Sequence, residues 1–111
     1  ATITTSTSYI QKLRITTDYI LNGYYRVGIF YLLSNSSNNG EMGARIRIDD
    51  TTTIQETSFA IQANNTGDPK VFYTPIQVQL SEGIHTIDLD FRNITGVTTI
   101  SNVKMEIWRV I

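Results

Sequence analysis

The sequence predicts an all-β fold, an antiparallel β-sandwich or jelly roll of about seven to eight strands. Threonine and isoleucine number sixteen each. Both branch at Cβ, which stiffens the first side-chain torsion and suits a pleated surface better than a helix. Apolar and polar residues alternate with period two through most of the chain, the mark of strands with one buried face. These alternating segments recur about every ten residues, separated by runs of Asn, Ser, Thr and Gly, as in sandwiches and jelly rolls. No helical apolar stripe, heptad or internal repeat competes with this reading.

Taken in order, residues 1–9 read as a flexible polar arm and residues 10–111 as a single sandwich domain. The first strand is expected over Gln11–Thr17, where Leu13 and Ile15 alternate with Lys12, Arg14 and Thr16. Asn22-Gly23 marks a turn. Gly23–Ser34 is the most apolar segment, with Tyr25, Val27, Ile29, Tyr31 and Leu33 on one face. Its other face carries Tyr24, Arg26, Gly28, Phe30 and Leu32, so it is apolar on both sides. Such a strand is either central in a two-layer stack or in contact with another subunit. A polar loop over 34–40 leads to a strand over Gly43–Asp50, with Ala44, Ile46 and Ile48 inward and Arg45 and Arg47 outward. Asp50-Thr51-Thr52 turns into a fourth strand from Thr53 to about Ala63. A loop over 64–69 precedes the strand Val71–Leu80, and Ser81-Glu82-Gly83 is a tight turn. In Ile84–Phe91, Ile87, Leu89 and Phe91 point inward and Asp88 and Asp90 outward. The last strand, Thr98–Val110, puts Val103, Met105 and Ile107 on one face and Trp108 and Val110 on the other, subject to a bulge resetting the phase.

With 111 residues and 12.5 kDa the chain has room for one domain, which buries roughly two-thirds of its unfolded surface. Its hydrophobic content of 41% is that of a folding chain. The absence of cysteine removes disulfides, thiolate nucleophiles and cysteine-ligated zinc, and a single histidine removes a multi-histidine metal site within one chain. Nine basic against ten acidic side chains give a net charge of −1, unlike a binder of nucleic-acid backbones. No apolar run approaches the length of about 18 residues that a membrane span needs. Residues 1–8 do not read as a secretory signal, and an N-terminal Ala fits either a small protein whose initiator Met has been trimmed or an expression fragment. The expectation is a protein made in a reducing cytoplasm, with no enzymatic activity and no cofactor.

Candidate sites are sparse. Asp88 and Asp90 share a strand face and could bind a hard cation, with a salt-bridged face opposite Arg45, Arg47 or Arg92 as the plainer reading. Asp49 and Asp50 could ligate calcium in a loop, although Asp there more often stabilises a turn. No metal site is expected. His85 follows the Gly83 turn without a nucleophile motif nearby, which makes it structural or a surface residue. Tyr24, Tyr25, Phe30, Tyr31, Phe72, Tyr73 and Trp108 exceed what one inner face needs, and they are the candidate interface. Asn35, Asn64 and Asn93 open Asn-x-Ser/Thr triplets, which matter only in a secreted eukaryotic protein.

Two stretches carry a resemblance: ARIRIDDTTTI over 44–54, and LSEGIHTIDLDF over 80–91 followed by TISNVKMEIWRV over 99–110. They resemble a β-sandwich domain of tailed-bacteriophage virion surface proteins, of decoration and fibre type, over about Gly23–Val110. The same layout is similar to β-sandwich carbohydrate-binding modules, whose aromatic residue before the Asn near the last strand is missing here, since Ile100-Ser101 precede Asn102. The first resemblance implies a non-enzymatic virion structural protein, foremost a head decoration, assembling as a homo-oligomer with a trimer favoured. Its polar arm, through Thr2, Ile3, Thr4 and Thr5, would dock on other virion proteins. The second implies a glycan ligand, on a free module or on a receptor-binding fibre tip.

Overall fold

A computed structural model describes residues 2–60 and 67–110. The far end of the fourth expected strand and the triplet at Asn64 lie outside the described residues. Eight strands are present: β1 Thr2–Thr4, β2 Ile10–Thr16, β3 Gly23–Asn35, β4 Glu41–Ile48, β5 Thr52–Ala60, β6 Lys70–Leu80, β7 Thr86–Asn93 and β8 Thr98–Arg109. They form two antiparallel four-stranded sheets, ordered β1-β8-β3-β6 and β2-β7-β4-β5. Pairing first with last, second with seventh, third with sixth and fourth with fifth is a long hairpin rolled up, the jelly-roll topology. At about 3.3 Å per residue, the 13 residues of β3 set most of the 47 Å long axis.

The core follows from period two. Tyr25, Val27, Ile29, Tyr31 and Leu33 of β3 face Met42, Ala44, Ile46 and Ile48 of β4 and Ile87, Leu89 and Phe91 of β7, all buried between the sheets. Burying side chains of this size contributes about 1.5 to 3 kcal/mol each. In β8 the pattern skips a place, because Ile100 is buried and the next inward residues are Val103, Met105 and Ile107. The cause is a bulge: Phe30 pairs with Lys104 but Leu32 with Ser101, and Asn102 takes φ 52° to accommodate the extra residue.

Residues 2–9 differ from the expected free arm. Thr2, Ile3 and Thr4 pair with Ile100, Thr99 and Thr98, and Thr4 is buried. Ser6 accepts the Asn93 N–H at 2.8 Å, and Tyr9 lies between the guanidinium groups of Arg45 and Arg92, 4.2 and 4.7 Å from its ring centre. A segment of eight residues whose sole aliphatic side chain is Ile3 carries too little pattern to be read as a strand. Backbone pairing with β8, which supplies an edge otherwise open, is what holds it.

Candidate functional site

The outer faces of the two sheets are where a site can lie, and they are built from opposite chemistry. On the β2-β7-β4-β5 face, Arg45 Nε donates to Asp90 at 2.9 Å. Arg14 forks onto Asp88 at 2.7 and 2.6 Å, and its guanidinium also pairs with Asp50. Such two-pronged contacts fix geometry as well as charge. Asp88 and Asp90 are thereby buried rather than solvated. The cross-strand partners are Arg14 and Arg45, whereas Arg47 and Arg92 make no ion pair with either. The Asp88 hydrogen bonds hold the Arg14 guanidinium charged above its ordinary value. Tyr9 closes this face over Gly43. A side chain at Gly43 would come within 3.0 Å of the Thr57 carbonyl and 3.3 Å of the Tyr9 hydroxyl, so the close approach requires glycine. Burial, and then the neighbouring Glu56 carboxylate, push the Tyr9 phenol up to about 12.

The β1-β8-β3-β6 face carries Tyr24, Arg26, Gly28, Phe30 and Leu32 from β3. Opposite them in register lie Gln79, Gln77, Pro75, Tyr73 and Val71 from β6, and on the other side Trp108, Glu106 and Lys104 from β8. Val71 and Tyr73 are more than 60% exposed, and Tyr24 and Trp108 about 40%. Gly28 sits at the centre. A Cβ there would lie 3.4 Å from the Trp108 ring and 3.6 Å from the Tyr73 hydroxyl. Its missing side chain leaves a shallow cleft of about 230 Å³, lined by Gly28, Phe30, Tyr73, Lys104 and Glu106. An exposed aromatic patch rimmed by charge is the usual form of a binding surface.

The seven candidate aromatics therefore divide. Tyr24, Phe30, Tyr73 and Trp108 share this outer face. Tyr25, Tyr31 and Phe72 belong to the core side, where the Tyr31 and Phe72 rings stack at 5.1 Å and the Tyr25 hydroxyl donates to the Leu21 carbonyl at 2.7 Å. Burial raises the Tyr31 phenol to about 12. Of the docking candidates, Thr2, Ile3 and Thr4 are strand residues of the same sheet, with Ile3 and Thr5 exposed.

The four acidic candidates for a cation take basic partners from the protein instead. Asp88 and Asp50 pair with Arg14, and Asp90 with Arg45. Asp49 binds His85 Nδ1 at 2.7 Å and accepts the Thr86 N–H at 3.0 Å. Among the described residues no group of three or more metal-ligating side chains occurs. Asn35 and Asn93 are buried in a polar network at the opposite end of the sandwich from His85. Asn35 Nδ2 donates to the Thr95 carbonyl at 2.8 Å and Asn93 Nδ2 to that of Gly96 at 2.7 Å. Their amides fasten loops and are shielded from modification. Sequence reasoning missed the Arg14 fork, the Tyr9 cover and the Asp49–His85 pair. The sole signal for the last was an Asp-Asp turn where Asn-Gly is usual.

Among the described residues no helix is long and apolar enough to cross a membrane. No protein-family model and no curated protein matches the chain.

Proposed function

We propose that this chain is a non-enzymatic structural protein of a tailed-bacteriophage particle, a head decoration, made in the host cytoplasm and assembled as a homotrimer. The single observation behind the assembly is the imbalance between the two outer faces. One pairs Arg14 and Arg45 with Asp88 and Asp90, and the other exposes Tyr24, Val71, Tyr73 and Trp108 to solvent in the lone chain, with Phe30 half-buried among them. Apolar area left exposed in this way gains free energy when a second copy covers it, at about 25 cal/mol per Å². The phage assignment itself rests on the resemblance of segments 44–54 and 80–110.

A second reading has one observation in its favour. Phe30, Tyr73 and Trp108 around the Gly28 cleft, with Lys104 and Glu106 beside it, offer ring faces and hydrogen-bonding groups of the kind that hold a sugar. Light scattering at micromolar concentration separates the two. The proposal expects the mass of three chains. A 12.5 kDa monomer that binds on a glycan array would replace it with the carbohydrate-binding reading, on a free module or a fibre tip.

A further inference from the structure

We propose that His85 is a proton-operated latch that ties the two sheets together at one end of the sandwich. Its side chain is buried where the β4–β5 turn of one sheet meets the β6–β7 connection leaving the other, in which His85 follows Ser81 by four residues. The β4–β5 turn, from the β2-β7-β4-β5 sheet, brings Asp49 Oδ2 to 2.7 Å from His85 Nδ1. The segment leaving β6, from the other sheet, brings the Ser81 carbonyl to 2.8 Å from Nε2. A carboxylate and a carbonyl only accept hydrogen bonds. A neutral imidazole has one N–H and one bare nitrogen, so only the imidazolium satisfies both contacts at once.

The surroundings hold the ring in place. The His85 N–H donates to Thr17 Oγ1 at 2.9 Å, and its carbonyl accepts the Thr17 N–H at 2.8 Å. Asp49 and Asp50 take φ 54° and 62° in the three-residue β4–β5 connection, closed by Thr51 N–H to the Ile48 carbonyl at 3.2 Å. Left-handed backbone is unfavourable for Asp, and the bonds from His85 and Thr86 to Asp49 offset the strain. The other charged groups at this end have partners of their own. Asp50 is taken by Arg14, Glu82 by the Tyr19 phenol, and Arg109 donates to the Asn22 carbonyl. Asp18, in the same connection as Thr17, is the remaining acid of that stretch. Beside the ring a cleft of about 390 Å³ opens between the sheets, lined in part by Asn22, Thr52, Gln79 and Asp49.

The Asp49 hydrogen bond, then that to Ser81, raise His85 above its ordinary 6.5, against a smaller opposing effect of burial. Burial pushes Asp49 up, but the His85 and Thr86 hydrogen bonds and the imidazolium charge outweigh it and leave the carboxyl below its ordinary value. The signs fix the window. The His85 contribution is complete below pH 6.5 and is lost as pH rises through its raised folded value. The Asp49 contribution is present above its ordinary value of 3.8 and is lost as pH falls through the lowered one. Above the window the ring keeps its N–H toward Asp49 and turns a lone pair on Ser81, so the Ser81 side lets go and the cleft widens.

His85 is the sole histidine, which makes its Cε1 proton resonance an isolated reporter in NMR titration. The latch requires a midpoint above 6.5 and a melting temperature that falls through that midpoint as pH rises. Asp49→Asn should bring the midpoint back to 6.5 or below, and His85→Gln should remove the alkaline fall. A wild-type midpoint at or below 6.5 overturns the proposal, as does an alkaline fall of equal size in His85→Gln. Should His85→Gln fail to fold, the Asp49→Asn midpoint decides alone.

Discussion

The two outer faces of this sandwich solve the same problem in different ways. Each flanks a core of alternating inward residues, and each has a central strand pair whose outward positions are half covered. On the β2-β7-β4-β5 face those positions include Asp88, Asp90 and Arg45, with Arg14 of the edge strand bonded to Asp88, Arg45 to Asp90, and Tyr9 over Arg45. On the β1-β8-β3-β6 face they are Gly28, Phe30, Leu32, Tyr73 and Trp108, with one cleft and few polar partners. Within one chain Arg14 and Arg45 already find their carboxylates, although Arg92 Nε is buried without a partner. The aromatic face keeps an open cleft at its centre that an occupant could fill. On the proposal made above, the first face serves structural integrity and the second serves assembly.

That assignment is open to attack from either side. The largest effect is expected from Phe30→Asp, which puts a charge beside the Gly28 cleft. Self-association should weaken by about 30-fold or more, the size of a central contact at an interface, while the lone chain keeps its melting temperature. Sedimentation velocity across concentrations reads the first and circular dichroism the second. Next comes Asp90→Ala on the charged face. It leaves Arg45 without its carboxylate under Tyr9 and should cost about 2 kcal/mol in urea unfolding, with self-association unchanged. Tyr9→Ala, which removes the ring from between Arg45 and Arg92, should cost about 1 kcal/mol by the same measurement. Asp50→Gly is the smallest. It loses an exposed ion pair with Arg14 but relieves a left-handed backbone at φ 62°, so the urea midpoint should stay near that of wild type. Were Asp90→Ala to dissociate the assembly, or Phe30→Asp to unfold the chain, the division between the faces would fail.

Much of this contrast was readable from period two alone. In β3 the split between Tyr25, Val27, Ile29, Tyr31 and Leu33 and the opposite set from Tyr24 to Leu32 matches the structure. So do the inward residues of β7, with Ile87, Leu89 and Phe91 fully buried. What period two does not reveal is which residue lies opposite. Asp88 and Asp90 read as solvated because their covers, Arg14 and Arg45, come from other strands through the register of β2 and β4. Phe72 and Tyr73 are adjacent aromatics whose fates diverge by strand parity against β3. The β1 strand was illegible for a different reason. Its three residues gain their place from backbone pairing with β8, which leaves no hydrophobic pattern in the sequence. The latch had no pattern either: Ser81 and His85 are local, but Asp49 reaches them only once the fold brings the β4–β5 turn to the same end.

Trp108 offers the most direct test of the central claim, because it is the single tryptophan and lies on the proposed contact face with about 40% of its surface exposed in the lone chain. Acrylamide quenching of its fluorescence, followed from nanomolar to high micromolar protein, reads coverage of that face in the intact protein. The account predicts strong quenching in dilute solution that falls as the measured mass rises from 12.5 kDa to that of the assembly. Quenching that stays strong while the mass rises would place the contact on another face. Quenching and mass that are both constant at 12.5 kDa would contradict assembly altogether.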